Sequence, residues 1–167
     1  TKDLWLTRRP DGDYVGHEKR AIRADPTIVD DFTPYLDVAC KIVGSSSDAA
    51  LLQRCEVAMQ KALGADATAV RSQSYYLDVT PPGHDKGTFA RAMAKHLDIP
   101  TDAVATIGDM ANDLAMFGVS GLSIAMGNAT EEVKKMATHV TASNEDDGFA
   151  KAIDMILKQN EGRGAER

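Results

Sequence analysis

The chain is poor in cysteine and in aromatic residues: it holds two cysteines, Cys40 and Cys55, one tryptophan, and 5% aromatics in all. Two thiols cannot build the disulfide framework that staples a small secreted domain. They read as buried structural thiols in a reducing, cytoplasmic setting. Also missing is any run approaching the roughly 20 apolar residues that cross a bilayer, so no membrane partner is expected. Positive charge is not in excess: 19 Lys+Arg stand against 25 Asp+Glu, a net charge of −6. Nucleic-acid binding rests on phosphate neutralisation by Lys and Arg, and this balance speaks against it. Gly-x-Ser-x-Gly, P-loop and dinucleotide fingerprints are absent. The four histidines (His17, His84, His96, His139) lack the spacing of a metal-binding pair.

What remains is an ordinary globular composition, 167 residues with 43% hydrophobic and 26% charged. That length suits one domain or two small ones. Residues 1–80 read as α+β. Leu4-Trp5-Leu6 is a strand candidate and Arg9 to Asp13 a turn. The Asp11-Gly12-Asp13 pair belongs to that turn, since no buried strand precedes it. Tyr14 to His17 reads as a returning strand. Leu36 to Val43 alternates at period two through Leu36, Val38, Cys40 and Ile42, which predicts another strand. Residues 48–63 place Leu51, Leu52, Cys55, Met59 and Leu63 at helical spacing, with serines and Asp48 as caps and Gly64 as the stop. Two strands follow, Ala67 to Arg71 and Ser74 to Val79.

Pro81-Pro82-Gly83 marks a boundary. Beyond it short apolar strands (Val104–Ile107, Leu122–Ala125, His139–Thr141) alternate with helices (85–97, 112–117, 130–137, 146–159). Phe89, Met93 and Leu97 form the apolar stripe of the first helix, and Phe149, Ile153 and Ile156 that of the last. This alternation predicts an α/β fold with a parallel sheet and helices on its faces. Residues 161–167 read as a polar, frayed tail.

The chemistry gathers at the strand ends, where parallel sheets hold ligands. The run Val104-Ala105-Thr106-Ile107-Gly108-Asp109-Met110-Ala111-Asn112-Asp113 ends a buried strand in a glycine and an aspartate. A carboxylate at such a rigid end is a suitable hard ligand for Mg²⁺. Asn112 and Asp113 fall at the next helix start, which favours anions. A plain turn with an N-cap reads the same residues without chemistry. Lys86 opens helix 85–97, where a cation is unfavourable unless a phosphate or carboxylate compensates it; a solvated lysine is the bland alternative. His84 is a loop residue near it. Met126-Gly127-Asn128-Ala129 follows the second buried strand, either lining the same edge or forming a turn. Asn144 to Gly148 reads as a capped helix start.

Asp85-Lys86-Gly87, Gly108 to Asp113, Ala125 to Ala129 and Asn144 to Gly148 together resemble the C-terminal half of the haloacid dehalogenase-like (HAD) hydrolases, in the Cof-type branch with an α/β cap of type IIB. The resemblance covers residues 76–157. It implies a partial Rossmannoid core at 84–160 joined to part of an α+β cap at 1–80. It also implies Mg²⁺-dependent hydrolysis of phosphomonoesters through an aspartyl-phosphate. Lys86 would neutralise the phosphoryl group and Asp109 would bind Mg²⁺. Asp113 would hold metal-bound water or orient Lys86, and Asn112 would touch the substrate or phosphoryl group. The implied partner is a small phosphorylated metabolite, a sugar phosphate first and a flavin or pyridoxal phosphate next.

The family's Asp-x-Asp-Gly-Thr nucleophile motif does not occur in these 167 residues, nor does its Ser/Thr phosphate-binding motif. The expectation is therefore a fragment that is inactive alone and self-associates through an open sheet edge. A phosphomutase, or a non-catalytic binding or regulatory chain of the same fold, are the alternatives.

Overall fold

The computed structural model describes residues 4–164, with side chains for 4–160. The chain divides into two compact units, Thr1–Gly83 and His84–Arg167.

In the first unit, β1 (Leu6–Thr7) pairs in parallel with β2 (Thr27–Ile28). Between them lies α1 (Val15–Ile22). The strand expected at Tyr14 to His17 is thus the start of a helix. Its continuation, Glu18-Lys19-Arg20-Ala21, is made of strong helix formers, and a four-residue window could not see them. A 3-10 helix, Thr33–Val38, takes the first half of the segment expected as a strand at Leu36 to Val43, with Pro34 in its first turn. Proline is pre-organised for that position, and side chains alternating at period two do not by themselves exclude a tight helix. Only Ile42–Ser45 is extended, as β3.

The rest of the unit follows the expected pattern. Helix α2 (Ala49–Leu63) is capped by Asp48, whose carboxylate accepts from the Leu51 amide at 2.9 Å, and closed by Gly64. Strands β4 (Thr68–Gln73) and β5 (Tyr76–Thr80) are antiparallel, and the sheet order is β3-β5-β4. Leu52 of α2 packs on Ala69 and Leu77, with Cys55, Met59, Leu63 and Val79 around them. Burying each large aliphatic side chain contributes roughly 2 kcal/mol. Glu56 locks α2 to β4 by accepting from both the amide and Nε of Arg71, at 2.8 and 2.9 Å. β5 is central, so Tyr76, Leu77 and Asp78 are all buried in succession. On the face away from α2, Tyr76 meets Tyr14 and Tyr75, which stack with ring centroids 4.7 Å apart. Cys55 is half-buried, but Cys40 is exposed, against the expectation of two buried thiols. The 3-10 turn rather than a core strand carries the chain up to it.

The second unit is a parallel three-stranded sheet, β6 (Ala105–Gly108), β7 (Leu122–Ala125) and β8 (His139–Val140), in the order β6-β7-β8. Helices α3 (Lys86–His96), α4 (Leu114–Phe117), α5 (Glu131–Met136) and α6 (Gly148–Gly164) accompany it. Helix α6 continues through 164, so the tail expected from residue 161 is helical at first; residues 165–167 lie outside the described residues. Phe117, Ala125, Ala129 and Val133 form the core, beside a fully buried Ile124.

The apolar stripes of α3 and α6, expected to face that core, are covered only in part: Ile156 is half-buried, and their other large side chains are exposed. Phe89 is 65% exposed and Leu97 56%, while Ala94 on the same helix is buried. Phe149 is 60% exposed and Ile153 37%, while Ala152 is buried. Small residues set the packing distance of both helices within this unit, leaving the large side chains outward. No helix among the described residues is long and apolar enough to cross a membrane.

Candidate active site

The carboxyl end of β6 assembles the site, and every residue in it belongs to the second unit. After Gly108 the chain leaves the sheet and makes a 3-10 turn, Ala111–Asp113, that runs directly into α4. This turn folds Asp113 back onto the strand end. A Cβ on Gly108 would stand 2.5 Å from Cβ, Cγ and Oδ2 of Asp113. The glycine therefore serves close approach: its missing side chain is the space the carboxylate fills.

Asp113 is 2% exposed. A carboxylate this deep needs hydrogen bonds on both oxygens. Its Oδ2 accepts from the amides of Asp109 and Met110, each at 2.9 Å. Its Oδ1 accepts from Nζ of Lys86 in a tight ion pair. Lys86 is the first residue of α3, with Asp85 as N-cap accepting from the Thr88 amide at 2.7 Å and its hydroxyl at 2.9 Å. Those bonds, the amide first, hold the Asp85 carboxyl below the usual carboxylate range. The cation that is misplaced at a helix start is thus compensated by a buried carboxylate. The Lys86 side chain is still 49% exposed, so its ammonium has one side on Asp113 and another open to solvent.

Asp109 is half-buried at the strand end. Its Oδ2 accepts from Nδ2 of Asn128 at 2.9 Å. Asn112 is half-buried, and its Oδ1 is a buried acceptor with no partner among the described residues. His84 is exposed in the preceding loop. Asp11-Gly12-Asp13 lies in the other unit as a turn, with the Gly12 amide donating to the Arg9 carbonyl at 3.1 Å.

Lys86, Asp109 and Asp113 are therefore gathered within one constellation. Asn128 joins it through Asp109, a part the motif reading left open between edge residue and turn. The clue available in sequence was its place, directly after a buried strand at the same sheet edge as Gly108-Asp109. No group of three or more His, Cys, Asp or Glu suited to a metal occurs among the described residues. The arrangement presents a half-exposed ammonium beside a carboxylate at a strand end, suited to an anionic ligand.

Comparison with known proteins gives the family. The model of the haloacid dehalogenase-like hydrolases matches residues 1–153. A segment of 86 residues is 40% identical to the 5-amino-6-(5-phospho-D-ribitylamino)uracil phosphatase YwtE of Bacillus subtilis, covering 52% of this chain and 30% of that protein. A segment of 93 residues is 37% identical to the chloroplastic endoribonuclease YBEY of Arabidopsis thaliana, covering 56% of this chain and 16% of that one. Among solved structures, a haloacid dehalogenase-like hydrolase from Bacteroides thetaiotaomicron superposes with a TM-score of 0.71 at 31% identity, over 90% of this chain and 57% of that one. The chain thus spans well under two thirds of the length of each of these relatives.

Proposed function

The chain belongs to the haloacid dehalogenase-like hydrolases, and we propose that it is the cap and C-terminal core portion of a Mg²⁺-dependent phosphatase of small phosphorylated metabolites. Residues 1–80 are the cap part in this reading, and 84–160 the core part. The observation that carries it is the pairing of half-exposed Lys86 with buried Asp113, beside Asp109, at the end of β6.

Mg²⁺ takes hard oxygen donors, and the residues present differ in how they suit it. Asp109 fits: one carboxylate oxygen is held by Asn128 and the other is left to a cation. Asp113 has both oxygens engaged by Lys86 and two amides. It is better suited to orienting the lysine than to ligating the ion directly. This chain therefore supplies one direct carboxylate ligand, enough for a weakly held ion that keeps most of its waters; a tight site would also draw on the phosphate and on an aspartate that these 167 residues do not contain. When bound, the ion would neutralise charge on the phosphoryl oxygens.

Lys86 is the group that meets the phosphate. Asp113 fixes its Nζ with one hydrogen bond, and the remaining donors can turn to a phosphoryl oxygen. Asn112 directly precedes Asp113 in the same turn, and in this reading its Nδ2 would reach a phosphoryl oxygen. The covalent step needs a carboxylate nucleophile to displace the alcohol from phosphorus; water then cleaves the aspartyl-phosphate, releasing phosphate and restoring the carboxylate. That nucleophile motif is absent from the chain, so these residues alone are inactive. The name of the Bacillus relative, a phosphatase of a phosphoribityl compound, supports a sugar or polyol phosphate as substrate. Exposed Cys40 and half-buried Cys55, both free thiols, suit a cytoplasmic protein.

The test is hydrolysis of p-nitrophenyl phosphate with and without Mg²⁺ by the purified chain. The expected result is no metal-dependent turnover. Robust Mg²⁺-dependent hydrolysis by the chain alone would overturn its inactivity, and its retention in Asp109→Asn and Lys86→Met would overturn the assignment of the site as well.

A further inference from the structure

Asn128 stands at the point where the ends of all three strands of the second unit meet. Its Nδ2 donates to Oδ2 of Asp109 at 2.9 Å, at the end of β6. Its Oδ1 accepts from the backbone amide of Asn144 at 3.0 Å, beyond the end of β8. It is itself the third residue past β7. Both ends of one short amide are thus fixed, one on a side-chain carboxylate and the other on main chain.

The main chain at the anchoring end is itself tightly held. The Thr141 amide donates to the Ala125 carbonyl at 2.9 Å, and the Gly127 amide to the Ala142 carbonyl at 2.9 Å. A Cβ on Gly127 would lie 2.6 Å from the Ser143 nitrogen and 2.7 Å from the Ala142 carbonyl carbon. Only a glycine lets the loop after β7 lie this close to the loop after β8. Ser143 then caps the 3-10 turn Asn144–Asp146 by accepting from the Glu145 amide at 3.0 Å. The Asn144 amide is consequently a fixed donor, and a fixed donor on Oδ1 settles which end of the Asn128 amide faces Asp109.

We propose that Asn128 is a positioning residue: it relays the rigidity of the β8–α6 loop to Asp109, holding the carboxylate by one oxygen so that the other is presented to the cation. This deepens the phosphatase reading and rests on it for the cation. A carboxylate at a strand end has a rotatable Cβ–Cγ bond, and presenting one oxygen to an ion costs the entropy of fixing it. Partners behind a ligand remove that cost in advance, and their loss typically weakens metal affinity by about 10- to 100-fold.

The relay is testable without metal and then with it. By ¹⁵N relaxation of the whole chain, the Asn128 side-chain amide should be ordered, and it should loosen in Asn144→Pro. That substitution removes the N–H, together with the exposed side-chain bond to Glu145 Oε1, at a first-turn position after an extended residue, where proline is tolerated. Asn144→Ala, which loses the side chain but keeps the N–H, serves as the control, and far-UV circular dichroism checks that the fold persists. A side-chain amide already mobile in the unsubstituted chain, below about 0.6 in order parameter, would overturn the proposal.

Mn²⁺ titration, read by electron paramagnetic resonance, supplies the second arm. Asn128→Ala should weaken binding about 10- to 100-fold. Asn144→Pro should weaken it in the unsubstituted chain, yet by less than about twofold in the Asn128→Ala background, since coupled sites are not additive. Equal losses in both backgrounds would assign Asn144 a general structural role and overturn the relay. An ordered Asn128 amide in a chain that binds no Mn²⁺ would support the hydrogen-bonded relay and overturn the metal reading of Asp109 instead.

Discussion

Asp113 offers the sharpest test of how the site is built, because three changes remove different parts of one arrangement. Asp113→Ala leaves the amides of Asp109 and Met110 without acceptors in a site that is 2% exposed. Each buried amide left unpaired costs about 1–3 kcal/mol. The lysine loses its partner too, but its side chain is 49% exposed and returns to water cheaply. The total is about 3–5 kcal/mol. Asp113→Asn keeps a carbonyl oxygen for the two amides and turns an NH₂ toward the ammonium, at about 1–3 kcal/mol. Lys86→Met leaves the carboxylate with both amides, and water can enter where the lysine was, so the cost is about 1 kcal/mol after allowing for screening.

The expected order of destabilisation is Asp113→Ala, then Asp113→Asn, then Lys86→Met. Since the chain has two units, native-state hydrogen exchange at the β7 amides should be followed rather than a whole-chain signal. A Lys86→Met chain as unstable as Asp113→Ala would refute the reasoning, because the amides, not the lysine, are argued to dominate.

Further expectations concern the surroundings of the site. Asp85→Ala should destabilise α3 by about 1 kcal/mol, as for other lost N-caps. Its carboxyl is held below its unfolded value of about 4, so the cap's contribution is present above that pH and lost as pH falls through the folded value; the stabilities of the two proteins, read by hydrogen exchange at the α3 amides, should converge in acid, and a difference that grows on acidification would contradict it. Gly108→Ala drives a methyl group into the Asp113 side chain and should cost about 1–3 kcal/mol by overpacking, visible as faster hydrogen exchange at the β7 amides; unchanged exchange would show that Asp113 can move aside. Among the described residues β6 pairs only with β7, and its open edge should promote self-association; sedimentation equilibrium showing only monomer at high concentration would count against this.

How much of this was legible beforehand follows from the length of the signals. Helix α2 carries its own cap, stripe and stop, so local sequence suffices. The parallel sheet declared itself through short apolar strands between helices. Residues 14–17 misled because four residues can read as strand when the helix formers lie just beyond them. At Leu36, alternation at period two was outweighed by Pro34 opening a tight turn. The stripes of α3 and α6 were correct as periodicity, but as burial only at half-buried Ile156, since which face of a helix is covered depends on what the rest of the chain brings against it. At the site, Gly108-Asp109 and Lys86 were readable because their residue types are unusual where they stand. The link from Asp109 through Asn128 to the Asn144 amide was not, for it joins three strand ends distant in sequence and one partner is main chain.

The account turns on Asp109 as the cation ligand next to Lys86. The direct measurement is Mn²⁺-induced broadening across the ¹H–¹⁵N spectrum of the chain. The expected result is broadening centred on Asp109, Met110 and the Asn128 side-chain amide, competed by Mg²⁺ and lost in Asp109→Asn. Broadening centred on another acidic cluster, or undiminished in Asp109→Asn, would contradict it.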